Sequence, residues 1–236
     1  MAWLVRQQTI YYAMVSGKLI LSQERNWFHI SNEYILGLLA SDGYIKVYKK
    51  KNGGANYYAQ IEVKDEQIIK DLAEYYSVCY SHRSRIIANK QRDFYSINIP
   101  KNIWSDNIPC FMKGRPGLYE VYKNLEDKNS FIRGLFDGDG TVTEMSNSKT
   151  LLRIGFSINS SCNDIKMILE DFCQSNDIKL GFYFDKRGSG AWFASINSKA
   201  NVHKFFELIY SNNPKLFLKR KYDVFVRHGF PNLVTN

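Results

Sequence analysis

The chain has 236 residues, 44% of them hydrophobic and 23% charged, a balance that builds a real core and excludes disorder as a description of the whole. Lys and Arg number 32 against 23 Asp and Glu, and the resulting charge of +9 suits an acidic partner such as nucleic acid. The longest apolar run, around Ile35–Ala40, falls far short of the ~20 residues that span a bilayer, and no charged-then-apolar leader opens the sequence. The expectation is an intracellular protein, in the cytoplasm of a bacterium or phage host or in an organelle matrix, neither secreted nor membrane-bound.

Residues 1–30 match nothing later in the chain and are read as an unassigned N-terminal extension. A helix capped by Ser31 then runs to Asp42, and Gly43 is expected to stop it in a left-handed conformation. The strand Tyr44–Lys50 alternates, with Ile45 and Val47 on one face and Lys46, Tyr48 and Lys50 on the other. After a second strand come an amphipathic helix over about 65–76 and strands over about 82–87 and 94–99. These elements make a first unit, 31–113. Pro116-Gly117 and the charged Glu126-Asp127-Lys128 bracket a linker, 114–129.

The series then begins again. A helix capped by Ser130 ends in Asp139-Gly140. The strand Leu152–Asn159 turns Ile154, Phe156 and Ile158 inward and Arg153, Ser157 and Asn159 outward. A helix Asn163–Ser175, strands Leu180–Asp185 and Trp192–Ile196, and a helix Ala200–Ser211 follow. Residues 130–236 form the second unit, which ends in the basic segment Lys215-x-x-x-Lys219-Arg220-Lys221. Each unit reads αββαββα. The class is α+β: two antiparallel sheets, each with an apolar face under helices and an open polar, basic face.

The two units repeat in residues as well as in order. Tyr34–Gly43 (YILGLLASDG) and Phe131–Gly140 (FIRGLFDGDG) match at an offset of 97. Ile68-x-x-x-Leu72 meets Ile165-x-x-x-Leu169 at the same offset, and Ser96-Ile97-Asn98 meets Ser195-Ile196-Asn197 at 99. This is one unit in tandem, with pseudo-twofold symmetry. Basic charge is shared between the halves: 14 basic and 10 acidic residues in 1–110, 18 and 13 in 111–236.

If the two Asp-Gly helices pack face to face, Gly37 and Gly134 let them approach closely, and Asp42 and Asp139 reach the same end of the seam. Paired carboxylates repel unless a cation sits between them. Carboxylates plus an incoming phosphate are how Mg²⁺ is usually held, and two such sites on two phosphodiesters make a two-metal hydrolysis arrangement. The competing readings are weaker. A bare helix stop leaves the repeat unexplained. A calcium loop starting at Asp137 would need Gly where Val142 stands and Glu where Ser148 stands. Cys79, Cys110, Cys162 and Cys173 contain no C-x-x-C, and no His pair has metal spacing, so free thiols in a reducing compartment are expected rather than structural zinc.

The two ten-residue segments resemble the paired motifs of single-chain LAGLIDADG homing endonucleases, and the resemblance covers roughly Glu33 to Lys221. It implies saddle-shaped sheets gripping the DNA major groove, the motif helices at the central interface, and a monomer. It further implies cleavage of both strands of a long asymmetric DNA duplex, leaving short 3′ overhangs, in the service of intron mobility. Mg²⁺ is the implied cofactor, with Mn²⁺ in its place and Ca²⁺ binding without supporting cleavage. The eighth motif letter, the catalytic and metal-binding acid, falls on Asp42 and Asp139. The sixth, commonly Asp, is Ala40 in the first unit and Asp137 in the second. The seventh-letter carbonyls, Ser41 and Gly138, are implied further metal ligands. Lys101 and Lys199 are the candidates for basic residues beside the scissile phosphates; the alternative is a helix-start lysine on the DNA backbone.

The outward strand residues are the DNA-reading candidates: Tyr44, Lys46, Tyr48, Lys50, Tyr58, Gln60, Arg83, Arg85 and Asn98 in the first unit, and Thr141, Thr143, Arg153, Ser157, Asn159, Tyr183, Arg187 and Asn197 in the second. The competing function is a maturase acting on intron RNA, or a non-cleaving DNA-binding regulator on the same fold.

Overall fold

The structure, a computed structural model, describes residues 32–49, 51, 55–100, 117–145, 148–159, 163–186, 190–210 and 213–231. The N-terminal extension, the Ser31 cap, Lys50, Lys101 and Arg187 lie outside the described residues.

The first unit comprises α1 (Asn32–Asp42), β1 (Gly43–Lys49), β2 (Ala55–Val63), α2 (Glu66–Tyr76), β3 (Tyr80–Ile87) and β4 (Lys90–Ile99). A short helix, α3 (Leu118–Lys123), lies within the stretch read as a linker. The second unit comprises α4 (Lys128–Asp139), β5 (Gly140–Met145), β6 (Ser148–Asn159), α5 (Asn163–Ser175), β7 (Gly181–Asp185), β8 (Ala191–Ile196) and α6 (Lys199–Tyr210), and is followed by α7 (Lys219–Arg227). Both sheets are antiparallel and share one order, β1-β2-β4-β3 and β5-β6-β8-β7.

α1 and α4 form the seam. A helix that is apolar around most of its circumference has to be enclosed. Tyr34, Ile35, Leu38 and Leu39 of α1 are buried, as are Phe131, Ile132, Leu135 and Phe136 of α4. The two backbones touch. A Cβ on Gly37 would lie 2.0 Å from the Phe131 carbonyl oxygen and 2.9 Å from Leu135 N; one on Gly134 would lie 2.1 Å from the Tyr34 carbonyl oxygen and 2.8 Å from Leu38 N. Each contact is the image of the other under the 97-residue offset, so the pseudo-twofold axis passes through the seam.

The helix ends differ from expectation. Asp127 caps α4, its Oδ1 accepting from Ser130 N at 2.9 Å, while Ser130 sits buried inside the first turn. Neither Gly43 nor Gly140 is left-handed; Gly140 is extended, with φ −73° and ψ 157°. The demand for glycine is steric instead. A Cβ on Gly43 would lie 2.2 Å from the Leu39 carbonyl oxygen, and one on Gly140 2.4 Å from Phe136 Cδ2. Each motif helix therefore passes straight into a strand, leaving its last Asp at the junction.

The expected alternation holds in β6, where Leu152, Ile154, Phe156 and Ile158 are buried and Arg153, Ser157 and Asn159 exposed. It fails in β1. Ile45 packs against the core but Val47 is 43% exposed, because this edge strand runs out past the helical layer. The register also corrects the repeat. Gly43 lies in one row with Ile61 and Ile97, and Gly140 with Phe156 and Ala194. β4 and β8 thus correspond at offset 97, and Ser195-Ile196-Asn197 aligns with Asn98-Ile99-Pro100. A two-residue slip preserves the strand face, so the assignment of outward residues is unaffected.

The chain ties the units together at two further places. Asp164 of α5 accepts from Gly117 N (2.8 Å) and Tyr119 N (3.1 Å), seating α3 on the second unit with Leu118 and Tyr122 buried. After α6, residues 213–231 fold back across the seam, with Tyr222 and Phe225 packed on Phe206 and Tyr210. Among the described residues no helix is long and apolar enough to cross a membrane.

Candidate acid pair and nucleic-acid face

The symmetric seam delivers Asp42 and Asp139 to one end. Asp42 is half-buried and Asp139 exposed. Burial and then the Asp139 charge push the Asp42 carboxyl up to about 6, against the pull of Lys221 and Arg220. The units meet here without a gap. A Cβ on Gly138 would lie 1.9 Å from Ser41 Oγ and 3.1 Å from Asp42 Oδ2. Equivalent residues of the two motifs are thus in contact, and the pair has room for only one side chain.

Two like charges that disfavour each other, flanked by main-chain carbonyls, suit a hard divalent ion. Among the described residues no group of three or more His, Cys, Asp or Glu could hold a metal. A divalent ion here could draw on two carboxylates and nearby carbonyl oxygens, the sparse protein contribution Mg²⁺ takes when phosphate completes its shell.

Beneath the pair lies a buried polar network. Asp137 is fully buried; its Oδ2 accepts from Tyr34 Oη at 2.8 Å and from Leu218 N at 2.9 Å, while Oδ1 has no partner. Burial dominates and pushes Asp137 up to about 6. Arg133 donates to the Leu216 and Ile209 carbonyls (3.1 and 2.7 Å) and to Ser130 Oγ (3.0 Å), with its guanidinium over the Tyr34 ring. Lys221 Nζ donates to the carbonyls of Phe136 (2.5 Å), Asp137 (2.7 Å), Gly138 (3.3 Å) and Gly140 (2.5 Å). Burial pulls Lys221 down to about 8.

The open faces of the sheets carry most of the expected reading residues. Tyr48, Tyr58, Arg83, Arg85 and Asn98 are exposed on the first; Tyr44 and Lys46 are half-buried. Gln60 departs from expectation. It is 9% exposed, accepts from Tyr44 Oη and donates to Ser96 Oγ at 3.0 Å, so it braces the sheet surface instead of projecting from it. Arg83 and Arg85 both donate to Glu62 on β2, Arg85 at 3.2 Å. On the second face Thr141, Thr143, Arg153, Ser157, Asn159, Tyr183 and Asn197 are all exposed. The row Tyr44–Gln60–Asn98 is answered there by Thr141–Gly155–Ser195. Lys199 is the exposed first residue of α6.

A family profile described as a LAGLIDADG-like domain matches residues 126–210, the stretch from just before α4 to the end of α6, with Asp139 inside it. The second unit thus matches a LAGLIDADG-like domain. Solved LAGLIDADG structures share the chain's architecture. The crystal structure of I-DmoI in complex with DNA and Ca superposes with a TM-score of 0.55 at 16% identity, over 83% of this chain and 96% of that one. I-SmaMI bound to uncleaved DNA target in the presence of calcium ions gives 0.52 at 12% identity, over 83% and 88%. At these identities the likeness speaks for the fold. In sequence, the intron-encoded RNA maturase bI4 of Saccharomyces cerevisiae is 27% identical over 191 residues, covering 74% of this chain and 28% of that protein's length.

The motif letters put Asp42 and Asp139 at the helix ends, where the structure has them, but Lys221 was read only as part of the C-terminal basic segment. A signal was present in the sequence. Leu218, Tyr222 and Phe225 fall at i, i+4 and i+7 and define a buried stripe, and Lys221 adjoins it.

Proposed function

We propose that this protein is a site-specific, divalent-metal-dependent endonuclease acting on both strands of a long, asymmetric DNA duplex. One observation carries the reading: two symmetric helices bring Asp42 and Asp139 together at the junction of two open polar sheet faces, close enough for the Asp139 charge to push the Asp42 carboxyl up. The sheets would lie along the groove, so that the acid pair faces the backbones of both strands. Asp42 and Asp139, with the Ser41 and Gly138 carbonyls, would hold the metal. When bound, the ion supplies Lewis-acid stabilisation of phosphate charge and lowers the pKa of water. The chain's own groups do the rest. The seam fixes the spacing of the carboxylates, and Asp42 is available to orient or accept a proton from an attacking water. Lys199, at the start of α6, is a candidate to balance charge on the phosphate. Arg83, Arg85 and Arg153 would hold the duplex in register.

The similarity to a maturase supports a second reading, in which the same basic faces bind structured intron RNA. One assay separates them. The full chain and its Asp139→Asn form are incubated with a randomised duplex library, with Mg²⁺ or with EDTA, and with the RNA of a host intron. Discrete Mg²⁺-dependent double-strand cuts with short 3′ overhangs, absent from the variant, support the nuclease. RNA binding and splicing stimulation that survive Asp139→Asn, without any DNA cutting, overturn it in favour of the maturase.

A further inference from the structure

The open face of the second sheet carries a feature that the first lacks. Ser157, Phe193 and Tyr183 lie in one row across β6, β8 and β7. The corresponding row of the first unit is Glu62, Ser96 and Ser81. A polar row thus builds a sheet of the same order, so the architecture does not call for aromatic residues here. The Tyr183 and Phe193 rings are nearly parallel, with 10° between their planes and centroids 5.0 Å apart. Phe193 is half-buried, whereas Tyr183 is 58% exposed. β7 is an edge strand, so the Tyr183 ring has one face on Phe193 and the other toward the open margin of the sheet. Gly181, Ala191 and Ser195 flank the pair on this face, all of them small, and Asn159 and Asp185 set polar groups in the adjoining row. Packing does not demand glycine at 181. Its φ is not left-handed, and a Cβ there would lie 3.7 Å from Ser195, in ordinary contact. Its effect is to leave the ground beside Tyr183 bare.

An exposed ring backed by a second ring is a surface on which a further flat ring can be laid. A base within a duplex has both faces stacked on its neighbours and cannot use it. Unpaired bases can, and RNA presents them in loops and bulges. Four-stranded sheets that bind RNA stack splayed bases on open-face aromatics in this manner. The charge of +9 favours the phosphates, and Arg153 stands exposed on the same face. We propose that Tyr183 and Phe193 form a stacking platform for an unpaired base of a single-stranded RNA loop. Tyr183 then reads no base edge in a groove; it receives the flat face of a base turned out of its strand. Such binding requires neither DNA cleavage nor splicing, and holds or fails apart from both.

A base that stacks can be made to report it. The full-length chain is titrated with an RNA hairpin whose loop is random in sequence except for a central 2-aminopurine, a base whose fluorescence is quenched on stacking. The wild type should bind the hairpin with quenching. Tyr183→Leu keeps an apolar side chain without the π-face; it should abolish the quench and weaken binding about tenfold. The salt slope should stay the same, because stacking releases no counterions. Tyr183→Phe should retain both quench and affinity. Gly181→Val, a change the strand accommodates, should weaken binding by crowding the ring. All variants are checked for native circular dichroism, and binding to a closed DNA duplex is measured beside each. Absence of quenching with the wild type overturns the inference, as does a quench that survives in a folded Tyr183→Leu. An equal loss of loop RNA and duplex DNA in Tyr183→Leu overturns it too, and makes Tyr183 a groove contact. Tighter binding to the same loop made of DNA overturns the assignment to RNA.

Discussion

The first and second units carry the same four-stranded sheet in the same order, yet their open faces are chemically different. The first presents Lys46, Arg83 and Arg85, with Glu62 set between the two arginines, and Tyr48 edge-on to Tyr58. The second presents Thr141, Thr143, Ser157, Asn159 and Asn197 beside Arg153, with Tyr183 stacked on Phe193 at 5.0 Å. The glycine contact at the seam shows none of this divergence. Gly37 requires the Phe131 carbonyl to stay where it is, and Gly134 makes the same demand on Tyr34. A surface that must fit its own image is held to symmetry by sterics. A face whose partner is a ligand is held only to the ligand, and can differ from one unit to the next.

The sharpest way to break this comparison is at the seam. Gly37→Ala and Gly134→Ala each force a methyl onto a backbone that has no rotamer with which to give way. Each should cost about 3 kcal/mol or more, and the two costs should agree closely. Urea unfolding of both variants measures this. A large gap between them would mean that the pseudo-symmetry of the contact does not extend to its energetics.

The faces should respond unequally. Arg83→Ala or Arg85→Ala should weaken duplex binding on all sequences alike and reduce the salt slope by about one ion each. Asn159→Ala or Asn197→Ala should leave the slope intact while relaxing preference at one base pair, an effect of about 1–3 kcal/mol. Binding measured against salt and against a mismatch panel separates the two. If Arg83 and Arg85 leave the slope unchanged, Glu62 keeps them from phosphate.

What the sequence revealed and what it hid divide along the same line. The motif letters placed Asp42, Asp139, Gly37 and Gly134 because a close helix crossing needs small residues at fixed spacing, and spacing is visible in one dimension. β6 was legible from alternation, while β1 followed it only as far as Ile45. Gln60 was not, because alternation tells which face a residue lies on and says nothing of whether Tyr44 and Ser96 reach across to bind it. The helix ends were misjudged because glycine after a helix usually signals a left-handed turn, whereas here it clears Leu39 and Phe136. Lys221 was hidden most deeply, since its partners are main-chain oxygens more than 80 residues away.

The acid pair makes the comparison sensitive to pH. The folded state holds Asp42 near 6 against an ordinary value of 3.8, and Asp137 is displaced in the same direction. Between these values the folded chain binds more protons than the unfolded one, so stability should fall as pH rises from about 4 to about 6 and level off above. Asp42→Asn removes part of that penalty. It should raise stability by about 1–2 kcal/mol near pH 7.5, less than the full shift implies because the group is partly screened by solvent. Thermal unfolding of both forms across this range in EDTA is the check, and equal slopes would show that Asp42 carries no strain.

The smallest effect concerns how the C-terminal helix spans the two units. Arg220 on α7 donates from Nε to both carboxylate oxygens of Asp65, at 3.0 and 2.9 Å, just before α2 of the first unit. Beside it, Leu218 N and Lys221 bind the second unit's motif helix. Burial ranks these ties. Arg220 is largely exposed, so Arg220→Ala should cost under about 1 kcal/mol and less still at high salt. The buried ties should hold α7 in place without it. Hydrogen exchange tests that ranking: amides of α7 should keep their protection in Arg220→Ala. Loss of that protection would mean that the surface ion pair, and not the buried carbonyl cluster around Lys221, keeps the helix across the seam.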